Sequence, residues 1–199
     1  MTARFADAHP ALIAGLKARY GEAHRAYHTW AHIQALLTWF DQLDWNDPTA
    51  VEIALYYHDA IYAPLSATNE VDSAALMRAE MTGLADAATV DRADAIILAT
   101  ANHQVPADAP PGLAQDIAQF LDMDLSILGA AAGDFDAYDA AIRQEFIAIP
   151  DAVFLPRRRA VMATFLGRDR LFLTDRFHTS HDAAARANLS RLIARLPSE

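Results

Sequence analysis

Residues 30–40 read Trp-Ala-His-Ile-Gln-Ala-Leu-Leu-Thr-Trp-Phe, and this stretch decides the fold class. Ile33, Leu36, Leu37 and Phe40 fall at i, i+3, i+4 and i+7, the spacing of one helical face. Val51, Ala54, Leu55 and His58 repeat the spacing, as do Ile96, Ala99, Thr100 and His103 with a polar end. Val161, Phe165 and Phe172 mark another stripe towards the C-terminus. Ala and Leu are abundant, glycine is scarce, and the period-two alternation of strands is hard to find. Asp44–Thr49, Ala63-Pro64, Val105–Gly112, Gly129–Asp134 and Ile149–Asp151 interrupt the helical pattern, and Asn46 or Asp47 is placed to cap the helix that follows. The expectation is an all-α fold of eight or nine helices. They lie near 2–19, 28–44, 48–62, 69–83, 87–103, 113–128, 134–148, 151–169 and 181–195. No repeat or linker divides the chain, so residues 1–199 are read as a single helical-bundle domain.

Outside that pattern, composition removes whole classes of function. With 199 residues, 53% of them hydrophobic, the chain can bury a real core. A net charge of −10 argues against nucleic-acid polymers and anionic membranes, which need a basic footprint. There is no cysteine, so thiol catalysis, zinc–thiolate sites and disulfides are excluded. The opening MTARFADAHPAL has no signal core, and no stretch reaches the roughly 18 apolar residues of a membrane span. A cytoplasmic protein with no membrane partner is expected. A homodimer is left open by the Ala-rich faces around 74–101.

The eight histidines are unevenly placed. His24, His28 and His32 are spaced by four, so they share one face if the helix extends back that far. His58-Asp59 follows the apolar run Ile53–Tyr57, and Asp122 and Asp124 interrupt Phe-Leu-Asp-Met-Asp-Leu. Buried carboxylates are costly unless paired or coordinating, and imidazole with carboxylate suits a divalent metal. A helical bundle brings such ligands together from facing helices. Spacing alone does not select which of these residues ligate. For three features the plainer readings are a helix cap and dipole partner at Asn69-Glu70, a solvated face or Asp partner at Arg157–Arg159, and surface positions for His178 and His181.

His32, then His58-Asp59, then an Asp roughly 65 residues on resembles the His…His-Asp…Asp signature of the HD superfamily of metal-dependent phosphohydrolases. More narrowly, the chain from about 20 to 195 resembles a bacterial family of small HD-type phosphohydrolases. The stretches that carry this are His24-Arg25-Ala26-Tyr27-His28 with His32, Tyr57-His58-Asp59-Ala60-Ile61-Tyr62, Asn69-Glu70 with Ser73-Ala74, Ala99-Thr100 with His103, Leu121–Leu125 with Leu128-Gly129, and Ile142–Phe146. The resemblance implies an HD-domain-like bundle and one divalent ion (Mn, Fe, Co, Ni, Zn or Mg) held by His32, His58, Asp59 and Asp124. Asp122 is then the alternative ligand, or a carboxylate that orients one. Two-metal relatives carry His where Tyr62 stands here, which leaves a second, weaker metal site open.

The implied activity is hydrolysis of a small phosphate ester, such as a nucleotide or another phosphorylated metabolite, by metal-activated water. Asp59 accepts the water's proton, and His28 protonates the leaving oxygen, by similarity to cyclic-nucleotide phosphodiesterases. Arg25, Glu70 and His103 are the expected substrate contacts. The alternative is an HD-like module that binds metal and nucleotide without turnover.

Overall fold

Local capping chemistry sets where the helices of the computed structural model begin. The structure describes residues 4–197, so the start of the first expected helix and both ends of the expected 1–199 domain lie outside it. Among the described residues there are ten α-helices and no strand, as the periodicity predicts. By its contacts the chain divides into two compact units, Met1–Leu121 and Asp122–Glu199.

The first unit contains α1 (Phe5–Ala8), α2 (Pro10–Tyr20), α3 (Trp30–Phe40), α4 (Pro48–Tyr57), α5 (Asn69–Glu80), α6 (Ala87–Ala99) and most of α7 (Pro111–Asp124). The single helix expected near 2–19 is two, because Pro10 disfavours helical geometry at His9 and starts α2 at its own N1 position. Helix α4 is the centre of the unit. Asp47 caps it by accepting from the Ala50 N–H, Pro48 fills N1, and every residue from Ala50 to Tyr57 is buried. α4 packs on α6, α5, α3 and α1. Its entry is fixed by the buried carboxylate of Asp116 on α7. This accepts from the backbone N–H groups of Asn46 and Asp47, both at 2.9 Å. Tyr57 donates to Glu80 at 2.6 Å and ties α4 to α5.

The second unit contains the last residues of α7, a single 3₁₀ turn (Leu125–Gly129), α8 (Ala132–Glu145), α9 (Asp151–Leu166) and α10 (Asp175–Arg195). Helix α10 starts six residues earlier than expected. Thr174 caps it, and Asp122 holds the segment before the cap by accepting from the Leu173 and Thr174 N–H groups, each at 2.7 Å. His178 and His181 are therefore helical residues, and His181 packs against Phe172 and Phe177. The stripe Val161, Phe165, Phe172 is not one face: α9 ends at Leu166, Val161 is exposed, and the buried residues of α9 are Phe154, Arg158 and Met162. Arg158 meets Asp139 at 2.9 Å, the carboxylate partner that one reading of the Arg cluster foresaw.

Gly129 lets the 3₁₀ turn approach α10 closely. A Cβ there would stand 2.7 Å from the His181 Cβ and 2.8 Å from its carbonyl oxygen. The turn is fastened by Asn188, which donates to the carbonyls of Leu128 and Ala130. Gly129→Ala is expected to destabilise the chain by about 1–3 kcal/mol, read from urea unfolding; an unchanged midpoint contradicts the close packing. Burial also lowers the His181 pKa. The unfolded chain then takes up the proton first, so this group's contribution to stability is lost as pH falls through about 6.5 and below. His181→Gln should flatten the stability profile in that window, whatever it does to stability at neutral pH.

Candidate metal centre

Two imidazoles and one carboxylate converge in the first unit. His32 sits in the first turn of α3, beside the buried Ile33 and Leu36. His58 and Asp59 straddle the end of α4, where His58 is the C-cap. His32 Nε2 lies 3.2 Å from His58 Nε2, His58 Nε2 lies 3.0 Å from Asp59 Oδ2, and His32 Nε2 lies 3.8 Å from the same oxygen. Both imidazoles are buried and the carboxylate is partly so. Among the described residues this is the one group with the geometry to hold a metal ion. Three atoms with these separations share a point about 2.0 Å from each, which is the length of a histidine– or carboxylate–metal bond.

The ring of His58 is held from behind by the backbone. Its Nδ1 lies 3.0 Å from the Leu55 carbonyl. A carbonyl only accepts, so this contact places a proton on Nδ1, and a neutral ring of that tautomer has its lone pair on Nε2, the nitrogen that faces the cluster. Such a backbone acceptor behind a histidine is a common support for a metal ligand. Phe120 of α7 closes one side of His58, with ring centres 5.5 Å apart at 80°. Tyr27 leans on His32 at 5.1 Å.

His28 is near the cluster for a different reason from the one the spacing gave. Helix α3 begins only at Trp30, so His24 and His28 are not on its face. They lie in the tight segment before it, where the Thr29 N–H donates to the Tyr27 carbonyl at 2.7 Å. From there the His28 ring reaches 6.2 Å from His32 and 4.4 Å from Tyr62. His24 Nε2 lies 2.8 Å from the Tyr62 carbonyl.

Two charged side chains that the resemblance assigned to the site are engaged by the protein itself. Arg25 is not placed to grip a substrate phosphate, because its side chain is fully buried and bound to Glu22 and to the carbonyls of His28, Asp59 and Ala60. Asp122 is engaged within its own unit. Its two oxygens accept from Leu173 and Thr174, including the Thr174 hydroxyl at 2.6 Å, and burial raises its pKa. Asp124 ends α7 and belongs to the second unit. Glu70 lies in the first turn of α5, and His103 follows α6 with a φ of 52°. Neither is one of the three clustered donors. Sequence reasoning gave no role to Tyr27, and it noted Tyr62 only for the histidine it replaces. Both aromatic rings flank the histidines, and both lie inside the quoted stretches. A cleft of about 640 Å³ between the end of α6 and the start of α7 is lined by Leu98, Asn102, Gln104, Leu113 and neighbours, and includes none of the three donors.

No helix among the described residues is long and apolar enough to cross a membrane. Comparison with known proteins finds no matching family model, no matching curated protein and no matching solved structure, so the chemistry of the cluster must be argued from its own geometry and from the sequence resemblance.

Proposed function

We propose that this chain is a metal-dependent phosphohydrolase acting on a small phosphate ester, with nucleotides among the candidates. The observation that carries the reading is the convergence of His32 Nε2, His58 Nε2 and Asp59 Oδ2 at ligand-to-ligand distances. Two imidazole nitrogens and a carboxylate oxygen brought within 3.0–3.8 Å of one another form a donor set whose residue types suit a divalent cation. The sequence resemblance adds Asp124 as the fourth ligand. When bound, a divalent ion in such a set supplies positive charge to a phosphoryl group and acidifies water. It also reverses the local field of a chain whose net charge is −10.

The protein's own groups do the rest. The Leu55 carbonyl holds the His58 ring by its Nδ1, which leaves Nε2 facing the cluster. Asp59 offers a carboxylate that takes a proton from water. His28, beside Tyr27 and Tyr62, supplies an imidazole proton to the leaving oxygen. Glu70 and His103 are retained as substrate-side contacts in this reading. The second reading, a metal- and nucleotide-binding module without turnover, is favoured by Tyr62 standing where two-metal relatives place a histidine.

Metal analysis of the purified protein is expected to find about one divalent ion per chain. A panel of phosphomonoesters, phosphodiesters and nucleotides should reveal turnover that chelation abolishes and added metal restores. Asp59→Ala and Asp124→Ala should each weaken metal binding by about tenfold or more. Bound metal with no hydrolysis across the panel supports the binding module instead. Metal affinity untouched by Asp124→Ala removes that residue from the ligand set, and a chain that binds no divalent ion sinks both readings.

A further inference from the structure

We propose that Arg25 is a positioning residue: it fixes the separation between the acid His28 and the ligand Asp59 by gripping the backbone carbonyls of both. This role rests on the metal-centre reading above. Nη1 donates to the His28 carbonyl at 3.1 Å and to the Asp59 carbonyl at 2.8 Å. Nη2 donates to the Ala60 carbonyl at 3.1 Å, and Nε to Glu22 at 3.1 Å. Four of the five guanidinium N–H donors are thereby used. The first of these carbonyls is three residues from Arg25 and the second is 34 residues away, so a single group joins a local turn to the end of a distant helix.

The guanidinium itself has little freedom. Its side chain is 0% exposed, and its central carbon lies 5.1 Å from the Tyr20 ring centre and 5.4 Å from that of Tyr62. Tyr62 is also the ring on which His28 rests, so the same cation orders the wall beside the acid. Two of the carbonyls it takes, those of Asp59 and Ala60, lie just beyond the C-terminus of α4, where the helix dipole favours a positive charge. Its only carboxylate partner among these contacts is Glu22, whose side chain is 42% exposed. The buried charge is therefore stabilised largely by backbone dipoles of the site.

A lysine cannot reproduce this. An ammonium is a point donor and does not span the carbonyls of residues 28, 59 and 60 in one plane. A phosphate contact and a positioning residue also differ in kinetics. Losing a substrate contact raises KM at unchanged kcat, whereas misplacing acid and ligand lowers kcat.

The test uses full-length Arg25→Lys and Arg25→Ala with Mn²⁺ as the probe. Arg25→Lys, confirmed as folded by circular dichroism, is expected to bind Mn²⁺ about tenfold or more weakly, the range seen when groups behind metal ligands are removed. Its kcat should fall with KM within about twofold of the parent. In Arg25→Ala, millimolar guanidinium ion should restore part of the Mn²⁺ affinity. If Arg25→Ala does not fold, Arg25→Lys carries the test alone. Parent-like affinity and kcat in Arg25→Lys, or a raised KM with nothing else changed, overturns the proposal while leaving the metal centre intact. A parent protein that binds no Mn²⁺ or other divalent ion overturns the metal centre itself, and this role with it.

Discussion

Helix α4 is buried along nearly its whole length, and this constraint shapes everything around its C-terminal end. A helix terminus leaves carbonyls without partners inside the helix, and a buried carbonyl must find a donor. Donors for these carbonyls come from the chain. His58 turns back to the Leu55 carbonyl, Arg25 takes those of Asp59 and Ala60, and His24 reaches that of Tyr62. The first of these bonds orients a metal-capable imidazole. The others dock the segment His24–His28 onto the stretch 59–62. The candidate site is thus a consequence of how one buried helix ends.

The entry to α4 is governed by the same requirement with the signs reversed. Here backbone N–H groups need acceptors, and Asp47 and Asp116 provide them. Asp122 does the same for the segment that leads into α10 in the second unit. Carboxylates at helix starts and cationic or imidazole donors at a helix end are both what the macrodipole favours. Several acids of a strongly acidic chain are therefore occupied as internal acceptors, and their number says little about how the surface treats a phosphate.

Periodicity made most of the helices legible, because one-sided stripes such as Ile33/Leu36 and Val51/Ala54/Leu55 are local signals. It failed where a break lay inside an apolar stretch. Phe172 continued a spacing past Gly167, although it packs from a loop against Phe177 and His181. The His24/His28/His32 spacing likewise looked helical, and the chain instead makes a tight turn before Trp30. The metal-capable trio was legible through the sequence resemblance, since His32, His58 and Asp59 match the first three positions of the signature that the chain resembles. The work of Arg25 and Asp122 was not. Each is a polar side chain whose partners are backbone groups, and a carbonyl 34 residues away or an N–H 51 residues away leaves no trace in residue type.

Arg25 and Asp122 also show how charged residues of a motif can be occupied by the protein itself. Both sit next to residues that carry the resemblance, and both have the charge that substrate or ligand chemistry would use. What decides their role is accessibility of the charged atoms. A guanidinium with four donors committed to protein acceptors, or a carboxylate accepting three bonds, has little capacity left for a ligand. His32, His58 and Asp59 differ in that their donor atoms face one another. Such an approach requires a proton or an ion between the atoms, so the arrangement, and not the residue types alone, is what makes the trio capable of holding a cation.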